Sequence, residues 1–509
     1  MSMRSGFRLL IGSLVAISVS PAAHAQVVDV LSTTAEERAL FGHVDHADIE
    51  AGRWTVDQLR EAGRRLFVAK FTRVDGACRP AATGSTEPRP RAREDAAEFL
   101  RTAGPDANAC ASCHNTPGTG GAGDFVTNVF VGLGELARPQ HSTAASFSNE
   151  RGTPELHGAG VVEIIAREIT RTLQSIRDDA IAAARDSGAP CRRELRAKGI
   201  RFGAITAAPD GELRFDEIEG IDHDLVVKPF GQKGIVISLR EFTVDAANLH
   251  HGMQAVERFG AAQTETDDFD GDGVTDELTT GDITALCVFQ ATLPMPGQVL
   301  PADFLERESI TRGEALFTEI KCAVCHVPEL TIETPRFIEP GPFNARGTLC
   351  AADCGRPLAI DLSREGPAPR VSSDSQGRLT VRVFSDFKRH IIADNDRPHW
   401  ANESVVQRRL PTGMFLTRRL WATGSTAPYG HRGDVTTIAE AIGHHGGEAA
   451  ESRRLFEALE PQDRQALVRF LKSLQILPEG SPAVVTEEQI EQLPYARPTD
   501  EDGITTTAE

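Results

Sequence analysis

Cys110-Ala111-Ser112-Cys113-His114 and Cys322-Ala323-Val324-Cys325-His326 are two copies of C-x-x-C-H, the pattern that attaches c-type haem. The two thiols add across the vinyl groups of the ring, and the histidine that follows is carried beneath it to become the proximal iron ligand. Nine Cys and 15 His among 509 residues give roughly 0.005 chance matches, so two copies are a signal. A zinc knuckle fits less well, because zinc ligands come as close pairs and these motifs begin 212 positions apart, at 110 and 322. The expected cofactors are two covalently bound haem c groups, held by Cys110, Cys113, His114, Cys322, Cys325 and His326.

The N-terminus points the same way. Arg4 and Arg8 precede an apolar run from Leu9 to Val19, and Ala23-His24-Ala25 has the small-x-small form of a cleavage site. Residues 1–25 therefore read as a secretory signal peptide, and the periplasm is the expected location. The apolar run is too short to span a bilayer, so the chain is expected not to cross the membrane. Formal net charge is −19, which argues against nucleic acid as a partner and suits encounter with a small basic electron-transfer protein, a cytochrome c or a cupredoxin. The same acidity would also serve solubility alone.

Composition allows two or three domains with a sizeable core. The reading is mainly α: two cytochrome c-like haem domains with an α/β insertion between them. Its boundaries are 26–160 for the first haem domain, 161–300 for a helical and hairpin insertion, 301–478 for the second haem domain and 479–509 for an acidic tail expected to be disordered. Thr55-Val56-Asp57-Gln58 is a capping box opening a helix with Leu59, Ala62, Leu66 and Phe67 at helical spacing. Residues 71–108, rich in Pro, Gly and Arg, read as an irregular loop before the first motif. Within the insertion, 161–185 is a strong helix stopped by Gly188 and Pro190, 200–207 and 212–215 form a hairpin, and Ser238 caps a further helix. Residues 312–321 lead as a short helix into the second motif. A helix from Pro461 to about Leu474 carries Leu467, Phe470, Leu471 and Leu474 on one face.

What fills the second axial position of each iron decides the chemistry: a strong second ligand makes an electron relay, an open or displaceable one admits peroxide or O2. The run 425–433 with Pro428-Tyr429-Gly430-His431, followed by 438–446 with His444-His445, resembles the segment closing the second haem domain of bacterial di-haem cytochrome c peroxidases and their MauG-like relatives. Cys-Ala-Ser-Cys-His-Asn-Thr-Pro-Gly and His251-Gly252-Met253-Gln254 resemble the di-haem oxidoreductase branch of that superfamily. Where those peroxidases place a methionine ligand to the second haem, this chain has His445. The resemblance then implies bis-histidine ligation by His326 and His445 and a low potential; the bland alternative puts His444 and His445 on the surface at a helix end. For the first haem, His251 or Met253 is the expected distal ligand, with His250, His141 and His157 behind them. Met295, between two prolines, is a minor ligand candidate. Gln254 and Glu257 resemble the pair that faces the open position in the peroxidases, where a carboxylate can carry the protons that peroxide cleavage needs; otherwise they are a solvated helical face.

Asp268, Asp270, Asp272 and Asp276, with Gly273 between them, follow the spacing of a calcium loop, although Thr279 stands where the bidentate Glu belongs. Ca2+ is expected there, against an acidic hydrated turn. Outside the haem motifs, Cys350 and Cys354 could close a small disulfide loop and Cys78 could join Cys191, which leaves Cys287 over. The expected function is a periplasmic di-haem c-type oxidoreductase, peroxidase-like, with one reactive haem, that of Cys110 and Cys113, and one relay haem. A two-haem electron carrier without its own substrate is the alternative, as is haem-dependent oxidation of a partner protein or polymer.

Overall fold

The computed structural model describes residues 38–40, 42–77, 107–130, 148–345, 347–403 and 405–492. The signal segment, Cys78, His141 and most of the expected loop at 71–108 lie outside these residues. In chain order the principal helices are α1 (His46–Glu50), α2 (Val56–Val68), α3 (Ala159–Ser187), α4 (Leu239–Ala246), α5 (Thr280–Ala291), α6 (Phe304–Glu319), α7 (Ile438–Gly443), α8 (Ala450–Ala458) and α9 (Pro461–Ser473). Strands β1 (Gly123–Phe130) and β2 (Ser148–Thr153) pair antiparallel, and β3 (Cys191–Ala197), β4 (Ile200–Ala207) and β5 (Leu213–Ile218) form an antiparallel meander.

One arrangement occurs twice. Helix α2 leads towards the first motif and crosses α5; helix α6 leads into the second motif and crosses α9. Both crossings are made at a glycine. A Cβ on Gly63 would fall on the Ala285 carbonyl oxygen and press on Phe289, and one on Gly313 would fall on the Ala466 carbonyl oxygen and press on Phe470. The aromatic neighbours also correspond: Phe67 stands 5.1 Å from Phe289 and 6.1 Å from the His114 ring, and Phe317 stands 5.8 Å from Phe470 and 6.4 Å from the His326 ring. The helix closing the first copy thus comes from within 161–300.

Local signals explain most elements. Thr55 makes the full capping box with Gln58, Ser238 accepts from the Glu241 N–H, and Pro461 occupies the first turn of α9, where no backbone donor is missed. Helix α3 ends on Gly188 in the left-handed conformation, after which β3 starts at once and adds a third strand to the expected hairpin. Every residue of α3 from Ala159 to Thr170 is buried, as is every residue of α5 from Gly281 to Ala291. These two helices run through the core rather than over it.

The acidic tail differs from expectation through residue 492. Val484–Thr486 pairs in parallel with Gly297–Leu300, Val485 is buried, and Glu479 is bound by Arg60 at 2.6 Å. A strand edge and one buried valine are enough to hold a charged segment in place. Residues 493–509 are outside the described residues. No helix among the described residues is long and apolar enough to cross a membrane.

Gly63→Ala and Gly313→Ala should each destabilise the haem-loaded protein by about 1–3 kcal/mol, because the steric cost of prising two helices apart exceeds alanine's helix preference. Denaturant midpoints check this. Gly443→Ala, where a Cβ would meet nothing within 4 Å, is the control, and equal midpoints for all three would remove the helix-crossing argument.

Candidate haem sites

Each C-x-x-C-H motif starts as a 3-10 turn, Cys110–Ser112 and Cys322–Val324, that folds its histidine back so that the His N–H donates to the first Cys carbonyl at 3.0 Å. His114 Nδ1 is 3.3 Å from the Gly121 carbonyl, and His326 Nδ1 is 3.0 Å from the Arg418 carbonyl. With the proton on Nδ1 each imidazole points Nε2 away from these carbonyls, the tautomer an iron ligand requires. Burial holds both rings neutral, lowering each to about 4. The chain supplies close-fitting backbone here: a Cβ on Gly123 would fall on the Cys113 carbonyl oxygen.

A cavity of about 520 Å3 lies at the first motif, lined by Cys110, Cys113 and His114 and also by Phe242, Ala246, His250, His251 and Gln290. A second cavity of about 330 Å3 is lined by Cys322, Cys325 and His326 and also by His431, Ile442 and His445. Gly152, Thr153, Pro154 and Gln232 face both. Apolar walls, paired thiols and neutral imidazoles form the donor set of c-type haem. Arg151 and Arg408 line the first cavity and Arg418, Arg419 and Arg453 the second; Arg151 pairs with Glu403, Arg418 and Arg419 with Glu155, and Arg453 with Glu457. The residues present fit two haem groups.

The expected ligands separate clearly. His445, just past the end of α7, is half-buried, its Nδ1 is 2.8 Å from the Ala441 carbonyl, and it lies close enough to His326 that its charge would lower that ring's basicity. His444 instead stacks on His399, with ring centroids 3.9 Å apart. His251 ends a single π-helical turn, Ala247–His251, closed by left-handed Gly252. Such a turn re-aims a side chain at the end of a helix. Its Nδ1 is 2.7 Å from the Ala107 carbonyl and its Nε2 is 3.3 Å from Cys110 Sγ. Met253, two residues on, is wholly buried in the core and is not among the cavity-lining residues. His157 is buried against the Pro294 carbonyl, and Met295 packs on the core; neither lines a cavity.

Gln254 and Glu257 also stand away from both cavities. Glu257 forms a buried ion pair with Arg240 at 2.6 Å, and Arg240 further binds Glu339 and the Thr284 hydroxyl. An arginine with two carboxylates in the interior fixes Glu257 too firmly for it to turn towards the iron. Gln254 donates its backbone N–H to Glu277.

Two residues at the second cavity were not read as site residues from the sequence. His431 stacks on Phe415 at 4.3 Å, and its Nε2 is buried without a hydrogen-bond partner; burial, then Arg151 and Lys233, push it down to about 2. His390 sits between Asp386 at 2.8 Å and Glu448 at 2.7 Å; burial opposes its charge, but Asp386 and the Cys325 sulfur raise it to about 11. His431 lies in the quoted Pro-Tyr-Gly-His run, which was the available signal; nothing in the sequence marks His390.

At the acidic loop, carboxylate oxygens of Asp268, Asp270 and Asp272 lie within 4.8 Å of one another, and Asp276 is not among them. Gly273 adopts the left-handed conformation the turn needs. Glu277 is brought beside the loop; burial, then Asp270, Asp272 and Asp268, push its carboxyl up to about 10. The expected disulfide is not formed: Cys350 Sγ faces the Pro342 carbonyl and Cys354 Sγ faces His46, and Cys191 is likewise free.

Residues 392–474 match the family model described as "Di-haem oxidoreductase, putative peroxidase". That segment carries His431, His445 and α9, and over these residues the chain is similar to that family. Among solved structures, the chain is similar to Kuenenia stuttgartiensis hydrazine synthase at 13% identity, over 92% of this chain and 100% of that one, with a TM-score of 0.32. It is also similar to a MauG-like protein associated with microbial copper homeostasis at 16% identity, over 53% of this chain and 78% of that one, with a TM-score of 0.26. No curated protein matches the chain.

Glu277 gives a pH prediction. A carboxyl raised in the folded state from 4.5 to about 10 binds its proton more tightly there than in the unfolded chain, so without a cation its effect on stability worsens as pH rises through that window. Glu277→Gln should therefore raise the melting temperature of chelator-treated protein by several degrees at pH 8.5 and by much less at pH 5. A gap that does not change with pH would show that Glu277 is not held protonated.

Proposed function

We propose that the protein is a periplasmic di-haem c-type oxidoreductase of peroxidase type, in which the site of Cys110, Cys113 and His114 reacts and that of Cys322, Cys325 and His326 relays electrons. The observation that carries this is the contrast between the cavities: two half-buried imidazoles, His326 and His445, line one small cavity, while the larger one is lined by His114 and by a histidine pair on a π-helical turn. Bound haem iron supplies redox chemistry, electron transfer where both axial positions are filled and oxidant binding where one can open.

The chain's own groups do the rest. Arg418 orients His326 through its carbonyl while its guanidinium pairs with Glu155 at 3.0 Å, so the ligand and the wall between the cavities are fixed together. His445 is fixed by Ala441 and completes the relay site. At the reactive site His251, held by the Ala107 carbonyl, would be the residue that joins His114 in holding the haem, whose iron would supply the chemistry with the oxidant. Gln254 and Glu257 have no part in this reading; Arg240 keeps Glu257 out of it. The proposed oxidant is peroxide or O2. The proposed electron-transfer partner is a small basic cytochrome c or cupredoxin, steered by the net charge of −19. Ca2+ belongs to the proposal as well, bound by Asp268, Asp270 and Asp272, where it would offset the carboxylate charge that, after burial, keeps Glu277 protonated.

Mass spectrometry should find two haems added to the chain, and ferric spectra should contain a high-spin component that shifts on adding cyanide. His251→Ala should enlarge that component. Two low-spin haems in every redox state, with no response to cyanide in the wild type or in His251→Ala, would favour the carrier reading instead. His445→Met should raise one haem potential, since methionine raises it relative to a second histidine; an unchanged potential removes His445 as a ligand.

A further inference from the structure

A third group of metal-binding side chains lies away from both cavities and from the acidic loop. His46 and Glu50 sit one turn apart on α1, and Cys354 comes from the segment after the 3-10 turn Ala351–Asp353, about 300 positions later. One donor atom from each lies within 4.8 Å of the others. His46 Nε2 is 3.7 Å from Cys354 Sγ and 3.8 Å from Glu50 Oε1. Tetrahedral zinc with bonds of about 2.0–2.3 Å separates neighbouring donors by roughly 3.4–3.6 Å, so these spacings need to contract by only a few tenths of an ångström.

The imidazole is otherwise poorly satisfied. Its contacts at Nε2 are too long for strong hydrogen bonds, and its Nδ1 is buried with no partner. A half-buried ring with no short hydrogen bond at either nitrogen leaves Nε2 free to take a ligand. Glu50 is already oriented: the Gly355 N–H donates to Oε1 at 2.8 Å, from the residue next to Cys354. His46 and Glu50 side chains keep 21% and 31% of their surface, so an ion can reach them from solvent.

We propose that His46, Glu50 and Cys354 bind a zinc ion, with water in the fourth position, and that the ion clamps α1 onto the 350–354 segment. One thiolate, one imidazole and one carboxylate form a borderline-soft set that suits Zn2+, whereas the all-carboxylate loop suits a hard cation. Binding replaces the thiol proton of Cys354 with a Zn–S bond and releases that proton to solvent. No change of oxidation state is involved. Cys350 is not needed; its sulfur is turned to the Pro342 carbonyl.

The test uses the full haem-loaded protein, stripped with chelator and equilibrated with Zn2+ in excess Ca2+, so that the acidic loop is masked. Elemental analysis should find one zinc for every two haem irons, and X-ray absorption at the zinc edge should show one sulfur at about 2.3 Å with nitrogen and oxygen near 2.0–2.2 Å. Zn2+ should raise the melting temperature and protect one thiol from alkylation. Cys354→Ser and Glu50→Gln, each with its two haems in place, should lose the zinc and the thermal shift. Zinc retained by both variants, zinc bound without sulfur, or a Cys350–Cys354 disulfide in the isolated protein would overturn the proposal.

Discussion

Two glycine-to-carbonyl contacts hold the rest of the structure in register. Where α2 meets α5 and where α6 meets α9, the backbones come so close that a single methyl group would land on a carbonyl oxygen. Close approach maximises dispersion between the helices and aligns Phe67 and Phe317 beside the motif histidines. From that alignment follow the position of each 3-10 turn and of each motif imidazole. The remainder of the chain is built around these two crossings, the first of which uses a helix that arrives more than 200 residues after its partner.

Legibility in the sequence followed the strength of local signals. Capping boxes, the Gly188 stop, the Pro461 start and the amphipathic spacing of α9 are short-range devices, and each marks a real element. Helix α5 carries a capping box too, Thr279 with Asp282, but it is buried on all sides. It therefore has no polar face to set off an apolar one, and periodicity says nothing about it. The tail read as loose because charge dominates its composition; one strand register with Gly297–Leu300 outweighs that. The π-helical turn at 247–251 leaves no sequence signature at all, and with it went the aim of His251.

The site shows the same division. The motif histidines and thiols are local to their motifs and legible. Around each motif, what matters is which distant segment folds over, and only the likeness of 425–446 to known relatives offered a guide. His445 lines the second cavity together with His326. Gln254 and Glu257 do not, because the likeness carried no knowledge of Arg240, whose two carboxylate partners, Glu257 and Glu339, come from segments 82 positions apart. The zinc-type cluster joins residues 46, 50 and 354, a spacing no motif would register.

Gly152, Thr153, Pro154 and Gln232 belong to both cavities at once. The two sites consequently do not vary independently. A larger side chain at position 152, which already abuts the Gly433 backbone, would narrow the second cavity and the first together, and any lineage that reshapes one pocket at these positions must accept a matching change in the other. Independent change is then confined to the walls that only one cavity owns, for the first chiefly α4, its π-helical extension and the segment around Gln407.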